Sequence, residues 1–316
     1  MTDASGPAQD LVRRTVRQCV AAELPGRTAG AAPASPAEPP DGPAGPGVRL
    51  AAIGTTASHA IGSGMLATAL LAEGFTVASR TVFPAPADLL SAGGWQLALV
   101  LSPWKRAVGS AAGLALSPSA AITGVVDTVL ASPGNPDGQV GVNTNSWAAA
   151  AALSALCPSG GERGDDAGVL LLGAGASARS AALGIRRRWP RARLTVSARD
   201  AAAARELAAT FGGVAVPAAD APTVSPDVIV NATTWGETAE SEERPFAFPF
   251  SKLLAPGRAF FDLNNRRSQL QDEALASACV VMSGTLMQVI THASRAALAQ
   301  AVLAHPPAAR DGSHVR

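Results

Sequence analysis

The sequence is poor in the residues that build disulfide-stabilised and metal-containing proteins. It has three cysteines, no tyrosine and an aromatic content of 4% in 316 residues. Cys19, Cys157 and Cys279 are far apart and odd in number, which fits neither the paired spacing of a zinc site nor a disulfide framework. No cluster of Asp, Glu, His or Cys has the spacing of metal ligands. We therefore expect a protein of a reducing compartment that binds no metal.

Charged residues are also scarce, at 16%, and the formal net charge is +1. No block of Lys or Arg is long enough to neutralise a run of phosphates, which argues against nucleic acid as a partner. No apolar run reaches the roughly 18 residues of a membrane span, and no basic region with an apolar stretch opens the chain. We expect a cytoplasmic monomer or homodimer that acts on a small molecule and not on a membrane.

The length and the hydrophobic content of 47% suit two globular domains with buried strands and Ala-rich helices. Residues 1–47 are predicted to be a disordered Pro/Ala/Gly-rich extension, because residues 25–47 contain almost nothing large to bury. Within it, residues 8–23 have the apolar spacing of a short helix. Residues 305–316 are predicted to be a tail.

From Val48 onwards strands alternate with helices, which predicts an α/β fold of parallel sheets covered on their faces. We assign residues 48–146 to an N-terminal α/β domain and residues 147–284 to a C-terminal, doubly wound domain. The final helix, residues 285–304, is predicted to return to the first domain. In that domain, Asp137-Gly138 within residues 135–138 predicts a hairpin turn.

A glycine-rich turn stands between an apolar strand, Val169 to Leu172, and a helix that continues to about Arg188. The turn consists of Gly173, Ala174, Gly175, Ala176, Ser177 and Ala178. Its glycines let backbone N–H groups approach a pyrophosphate, the helix N-terminus favours the negative charge, and Ala178 stands at the third glycine position, where it packs helix on strand. The complete strand-helix-strand context predicts a Rossmann domain that binds NAD or NADP.

The end of the next strand distinguishes the two dinucleotides, because an acid there accepts from a ribose hydroxyl whereas an arginine pairs with a 2′-phosphate. The chain has both, as Arg199 and Asp200. Arg199 suits the adenine and its phosphate, but an exposed Arg at a helix start is an equal alternative. We favour NADP and leave NAD open.

Several segments, in a fixed order, resemble the shikimate dehydrogenase family from about residue 48 to 304. VLLLGAGASARSAALGI is similar to its nucleotide loop, VSARDAAAARELA to the strand and helix that follow, and VIVNATTWGE to its Asn-Ala-Thr segment. RLAAIGTTASHAIGSGM resembles its substrate loop, LVLSPWK the segment with its catalytic lysine, and GVVDTV with GVNTN two further substrate segments.

The resemblance implies an N-terminal substrate-binding and catalytic domain followed by a Rossmann domain. It implies hydride transfer between a nicotinamide and a ring carbon that bears a hydroxyl or ketone. It also implies that Asn231, Ala232 and Thr233 lie beside the nicotinamide. We predict that Leu263 and Gly284 belong to the cofactor site as well.

The implied catalytic residues match the family only in part. Lys105 matches the family lysine, whose ammonium can hydrogen-bond the substrate oxygen and stabilise alkoxide charge. Asn145 stands at the position of the catalytic Asp, and an amide cannot accept a proton at neutral pH. Asp127 stands at the position of a substrate-binding Asn. We predict that Asp127 supplies the charge beside Lys105 and that Asn145 hydrogen-bonds the substrate; the alternative is that Asp127 only caps or turns the chain.

The substrate contacts depart further from the family. Its two carboxylate-binding serines match Ala60 and Gly62, and its threonine near the lysine matches Leu101. Its tyrosine matches Asn265 and its glutamine on the last helix matches Thr291, while Ser63 is a candidate replacement for a lost hydroxyl.

We therefore predict a related cyclic substrate other than shikimate, such as an amino or deoxygenated compound or another biosynthetic intermediate. The alternatives are a true shikimate or quinate dehydrogenase, and a non-catalytic dinucleotide-binding sensor or scaffold.

Overall fold

The computed structural model describes residues 6–25, 45–132, 135–158 and 166–304. Within these limits the chain forms two compact units, each with its own six-stranded sheet. Of the described residues, the N-terminal sheet unit contains 17–25, 45–120, 126–132, 135–142 and 293–304, and the C-terminal sheet unit contains 6–16, 121–125, 143–158 and 166–292. The predicted α/β class is confirmed.

The N-terminal sheet is mixed. Its strands are β1 (Gly47–Ile53), β2 (Thr76–Val82), β3 (Leu97–Val100), β4 (Ala115–Leu116), β5 (Thr128–Ser132) and β6 (Asn135–Val142), in the order β2-β1-β3-β5-β6-β4. The pairs β1–β2, β1–β3 and β4–β6 are parallel. Strand β5 is antiparallel to both of its neighbours, β3 and β6. The predicted parallel sheet is therefore correct only for part of this unit.

The predicted hairpin turn at residues 135–138 is wrong in position. Strand β6 already begins at Asn135, which pairs with Ser132 across a register irregularity between Ala131 and Ser132. Asn135 therefore already belongs to the second strand of the hairpin, and residues 133–134 lie outside the described residues. Pro-Gly is itself a strong turn signal and stands just ahead of the residues that the prediction used.

Short helices connect these strands and cover a core of small and branched side chains. The helices are α2 (Ala57–Ile61), α3 (Gly64–Ala72), α4 (Pro86–Ser91), α5 (Lys105–Gly109) and α6 (Pro118–Thr123). On one face Ile53, Val100 and Val129 are fully buried together with Leu89. The carboxyl ends of β1 and β3 meet at one edge of the sheet because these neighbours are parallel.

The C-terminal sheet is wholly parallel. Its strands are β7 (Gly168–Leu172), β8 (Arg193–Ser197), β9 (Val214–Val216), β10 (Val228–Asn231), β11 (Ala259–Asp262) and β12 (Val280–Met282), in the order β12-β11-β10-β7-β8-β9. The chain runs outward from β7 to β9, returns to β10 and runs outward on the other side. The topological switch point therefore lies between β7 and β10, which is the doubly wound arrangement predicted for this half.

Helices of this unit are α7 (Thr144–Leu156), α8 (Ala176–Arg188), α9 (Ala201–Thr210), α10 (Ala239–Glu242) and α11 (Gln269–Ala276). Helix α8 packs close to α7, because a methyl group on Gly184 would lie 2.8 Å from the Ala149 side chain and 3.0 Å from the Ser146 carbonyl. Ala-rich sequences on both helices permit this approach, which buries Ala148, Ala149, Ala181 and Ala182 completely.

Two helices lie outside the alternating pattern, α1 (Pro7–Glu23) and α12 (Thr285–Leu303). The helix predicted for residues 8–23 is confirmed as α1, so residues 7–23 are not a disordered extension. Cys19 and Val20 are fully buried, and the Glu23 carboxylate accepts hydrogen bonds from the hydroxyls of Ser117 and Ser119. Among the helices of the described residues, none combines the length and the apolar character needed to cross a bilayer.

Candidate functional site

The glycine turn starts at the carboxyl end of β7, where only glycine fits. Gly173 has φ of +107°, and a Cβ there would lie 2.8 Å from the carbonyl oxygen of Ala232. Its N–H donates to the Ser197 carbonyl at 2.8 Å, and the Ala232 N–H donates to the Leu172 carbonyl at the same distance. The turn is thus held between β8 and β10, at the switch point of the sheet.

The turn leads into the N-terminus of α8 without any side chain closing it. The N-cap is Gly175, which has no side chain to cover the first N–H groups of the helix, and the space where a Cβ would project is open. The first N–H groups of a helix lack intrahelical acceptors, and the helix dipole adds positive potential there. Ala178 is fully buried, consistent with its packing position. The residues present therefore fit a pyrophosphate.

Arg199 and Asp200 follow β8 and have different environments. The Oδ1 atom of Asp200 accepts hydrogen bonds from the amides of Ala202 at 2.9 Å and Ala203 at 3.0 Å, which makes Asp200 the N-cap of α9. Arg199 is exposed just before the same helix, and its guanidinium has no hydrogen bond or ion pair within the described ranges. The acid of this pair is engaged in capping, whereas the arginine is available to an anion.

Asn231, at the end of β10, fixes the Asn-Ala-Thr segment. Its Oδ1 accepts from the Thr233 N–H at 3.1 Å and from the Thr233 hydroxyl at 2.7 Å. Its Nδ2 donates to Asp262 Oδ1 at 3.0 Å. The Leu263 N–H donates to the Asn231 carbonyl at 2.9 Å. The ends of β10 and β11 are therefore joined both by backbone and by side chains.

Asp262 is a buried carboxylate that sequence reasoning did not select. Besides Asn231, it accepts hydrogen bonds from the Asn264 N–H at 3.1 Å, the Ser268 hydroxyl at 2.7 Å and the Gln271 amide at 2.9 Å. Burial raises the pKa of Asp262, and these four donors act in the opposite direction. The carboxylate organises the loop that follows β11.

Gly284 and Asn265 lie together on that loop side. A side chain on Gly284 would collide with the Leu263 carbonyl and would come within 2.6 Å of Asn265 Oδ1. Asn265 itself is exposed. The neighbouring Arg266 bonds to the Gly236 carbonyl at 2.9 Å and pairs with Glu242 at 3.0 Å, so it is already engaged and is not available to a substrate acid.

Lys105 and Asp127 both belong to the N-terminal sheet unit and are neighbours through the backbone. Lys105 opens α5 after the carboxyl end of β3, and only 9% of its surface is exposed. Its carbonyl accepts from the Val126 N–H at 3.0 Å. Asp127, directly before β5, is fully buried, and its carbonyl accepts from Val100 of β3 at 2.9 Å. The antiparallel start of β5 thus reaches the edge where β3 ends.

Asp127 is connected to an arginine that sequence reasoning missed, Arg295 of α12. Arg295 Nη2 donates to the Asp127 carbonyl at 3.0 Å and lies 3.9 Å from Asp127 Oδ1. Arg295 Nε donates to the Thr128 hydroxyl at 2.9 Å, and that hydroxyl donates to Asp127 Oδ1 at 2.7 Å. Burial lowers the pKa of Arg295, and the charge of Asp127 acts against this shift.

The substrate-loop positions lie at the carboxyl end of β1. Ala60 is in α2, Gly62 ends that helix, and Ser63 is the N-cap of α3, where its hydroxyl makes no cap hydrogen bond. His59 is exposed. The loop therefore offers a hydroxyl only at Ser63 among the positions that the resemblance compares with the family.

Asn145 and Thr291 both belong to the C-terminal sheet unit, and the structure brings them together. The Thr291 hydroxyl donates to Asn145 Oδ1 at 3.1 Å, and both side chains are largely buried. Asn143, two residues earlier, is the N-cap of α7 and accepts from the Ser146 N–H at 3.1 Å. This cap fixes the start of α7 and hence the place of Asn145 in its first turn.

A signal for Arg295 does exist in the sequence. Arg295 is the one charged residue between positions 293 and 302, a stretch of mainly small and apolar residues on a helix that is buried nearly all round. A buried charge requires a partner, so such a residue predicts an opposite charge elsewhere in the core. The sequence does not say which acid that is.

In the described part of the chain, no group of three or more His, Cys, Asp or Glu is placed to hold a metal.

Solved structures with the same fold include shikimate dehydrogenase from Aquifex aeolicus, with a TM-score of 0.64 and 20% identity over 78% of this chain and 90% of that one. Shikimate 5-dehydrogenase from Thermus thermophilus, in complex with NADP(H) and shikimate, has a TM-score of 0.63 and 25% identity over 81% and 98%. Quinate dehydrogenase from Corynebacterium glutamicum, in complex with NAD, has a TM-score of 0.64 and 22% identity over 79% and 93%.

No protein-family model matches the chain. The solved structures nevertheless confirm, at the level of the fold, the resemblance that the motifs carry. The chain has the fold of the shikimate dehydrogenase family, with a substrate-type α/β domain and a Rossmann domain.

Proposed function

We propose that this chain is a nicotinamide-dinucleotide-dependent oxidoreductase of the shikimate dehydrogenase type. It transfers a hydride between the cofactor and a hydroxyl or ketone carbon of a small cyclic substrate. The observation that carries the proposal is the open, uncapped turn from Gly173 to Ala178 at the switch point of a parallel sheet. The likeness to structures in complex with NADP(H) or NAD supports the same assignment.

The cofactor is proposed to be NADP. Gly173, Gly175 and the first turn of α8 hold the pyrophosphate, and Arg199 pairs with the 2′-phosphate. Asp200 is already engaged as the N-cap of α9, which weakens the case for a ribose hydroxyl at that place. Asn231, Ala232 and Thr233 are proposed to lie beside the nicotinamide. Leu263 and Gly284 are proposed as further cofactor-binding residues.

The nicotinamide supplies or accepts the hydride. Lys105 is proposed to hydrogen-bond the substrate oxygen through its ammonium and to donate a proton to that oxygen in the direction of reduction. Asp127, in the same unit as Lys105, is proposed to supply the negative charge of the site. Asn145, whose Oδ1 accepts from the Thr291 hydroxyl, is proposed to hydrogen-bond the substrate through its amide. Ser63 and Asn265 are proposed as further substrate contacts.

The substrate is proposed to differ from shikimate. The family's hydroxyl groups for the substrate carboxylate match Ala60, Gly62 and Leu101, none of which can donate a hydrogen bond from a side chain. Each missing bond of this kind costs about 1–3 kcal/mol. Loss of several contacts is more than a tight site for the same molecule tolerates.

The test is cofactor reduction followed by absorbance, with shikimate, quinate and their amino analogues, each against NADP and NAD. We expect no turnover of shikimate, turnover of an analogue, and a preference for NADP. Lys105→Ala should abolish turnover while NADPH binding, followed by its fluorescence, is retained. Efficient turnover of shikimate would overturn the substrate proposal and leave the enzyme class intact.

A second candidate is a dinucleotide-binding sensor without turnover. The observation in its favour is that an amide, Asn145, stands at the family's acid position. The two functions differ in one result. A sensor binds NADPH, turns over none of the compounds and keeps its biological effect in the Lys105→Ala variant, whereas the enzyme loses it.

A further inference from the structure

The buried cluster of Asp127, Thr128 and Arg295 lies within the N-terminal sheet unit and joins a loop residue, a strand residue and the last helix. We propose that Arg295 and Thr128 are positioning residues that act through Asp127, fixing its carboxylate in one orientation and compensating its charge. The inference rests on the proposed function in taking Asp127 as the acid of the site.

The contacts of Arg295 and Thr128 restrain one carboxylate oxygen, Asp127 Oδ1. Arg295 does not reach Asp127 Oδ1 within hydrogen-bond distance, because the Nη2–Oδ1 separation is 3.9 Å. Instead Arg295 Nε donates to the Thr128 hydroxyl at 2.9 Å, and the hydroxyl donates to Oδ1 at 2.7 Å. The guanidinium also binds the Asp127 carbonyl, so backbone and side chain are fixed by one group.

The direction of the Thr128 hydroxyl follows from this chain of bonds. A hydroxyl has one proton, and Arg295 Nε can only donate, so the Thr128 oxygen must accept from Arg295 and donate its own hydrogen to Asp127. Arg295 therefore sets the orientation of the hydroxyl, and the hydroxyl sets that of the carboxylate. Hydrogen bonds in such a chain strengthen each other in a medium of low dielectric constant.

The charge argument leads to the same assignment. Asp127 has no exposed surface and Arg295 is 5% exposed, so neither charge is neutralised by water. An ionised carboxylate in such a place is costly unless a cation and hydrogen bonds compensate it, and removal of one partner leaves the other uncompensated. Arg295 supplies such a cation, because its Nη2 donates to the Asp127 carbonyl and lies 3.9 Å from Asp127 Oδ1.

The first experiment measures the coupling and does not depend on turnover. Urea unfolding of the full chain is compared for the wild type, Arg295→Met, Asp127→Asn and the double variant. We expect Arg295→Met to lower the unfolding midpoint at least about twice as much in the wild-type background as in the Asp127→Asn background, because the partner charge is absent from the latter. Equal shifts in both backgrounds would overturn the proposal.

The second experiment tests positioning with two matched pairs, Thr128→Val against Thr128→Ser and Arg295→Met against Arg295→Lys. We expect Thr128→Val to lower kcat about tenfold, the cost of one hydrogen bond to a charged group, with KM changed less than about twofold. Thr128→Ser should recover most of that loss, and Arg295→Lys should retain part of the activity that Arg295→Met loses. NADPH affinity should be equal in all four.

The outcomes separate this inference from the proposed function. If the wild type turns over a substrate and Thr128→Val has the same kcat, the positioning role is wrong but the proposed function stands. Absence of turnover by the wild type on every compound sinks the proposed function, and the urea cycle then still decides whether Arg295 compensates Asp127. Should Arg295→Met fail to fold, Arg295→Lys and Thr128→Val take its place in the cycle with Asp127→Asn.

Discussion

The glycine turn allows cofactor binding and stability to be separated by two substitutions only two residues apart. Gly173 has φ of +107° and its Cβ position is occupied by the Ala232 carbonyl, whereas Gly175 has φ of −78° and open space. Gly173→Ala therefore strains the folded chain. Gly175→Ala does not strain the chain, but its methyl group projects into the space that we propose for the pyrophosphate.

The expected magnitudes differ accordingly. A residue other than glycine in a sparsely populated backbone region costs about 1–3 kcal/mol. For a folding unit of about 150–250 residues, at about 2–4 °C per kcal/mol, that corresponds to a fall in Tm of about 2–12 °C. Gly175→Ala should leave Tm within about 2 °C of the wild type, since neither strain nor collision arises. Its Kd for NADPH should rise at least about tenfold, because loss of close backbone contact to a phosphate costs more than about 1.4 kcal/mol.

Thermal unfolding by circular dichroism and NADPH titration by fluorescence give the two quantities. Gly257→Ala is the control, because Gly257 also has a positive φ, +75°, with nothing near its Cβ position. It should lower Tm and leave NADPH affinity unchanged. If Gly175→Ala binds NADPH as the wild type does, the turn does not hold the pyrophosphate and the reasoning from its geometry is wrong.

Three further predictions concern charge. Arg199→Ala should weaken NADP about tenfold and leave NAD unchanged, because only the 2′-phosphate pairs with the guanidinium; equal loss for both dinucleotides in a binding titration would contradict this. Burial raises the pKa of Asp262 in the folded chain above its ordinary value of 3.8. At a pH between the pKa of the unfolded chain and that of the folded chain, the folded chain therefore binds more protons. Its stability falls as the pH rises through this range. In urea unfolding at several pH values, the stability difference between wild type and Asp262→Asn should therefore shift in favour of the variant as the pH rises, and a constant difference would contradict the cause. Glu23→Ala should lower the free energy of unfolding by about 1–3 kcal/mol, because it removes the buried carboxylate that accepts from the hydroxyls of Ser117 and Ser119. The control is Glu243→Ala at an exposed position, which should change the free energy of unfolding by less than about 0.5 kcal/mol in the same urea experiment.

The Rossmann half was predictable because its signals are local. An apolar strand, a glycine turn and an Ala-rich helix follow one another directly, and Gly173 has a steric reason to be there. The edge strands β9 and β12, of three residues each, were not predicted. Strands that short have no periodicity to read and are defined by pairing with neighbours that the sequence does not specify.

The candidate site residues were predicted from the resemblance of short segments to the family. The structure places Lys105 just after strand β3 and Asp127 directly before β5, which are both buried strands. The Arg295 contact could not be predicted, because it joins residues 168 positions apart in the chain. The Asp262 network likewise depends on the packing of β10 beside β11, which places Asn231 within reach of the carboxylate.

The Asp127–Arg295 contact also bears on how the chain is completed during synthesis. Asp127 becomes part of the core of the N-terminal sheet, but its compensating guanidinium belongs to α12, near the last of the described residues. Until that helix has left the ribosome, the sheet can close only without the guanidinium that donates to the Asp127 carbonyl and to the Thr128 hydroxyl. Since domains generally begin to fold during synthesis, the N-terminal sheet should complete its core only after α12 has been made.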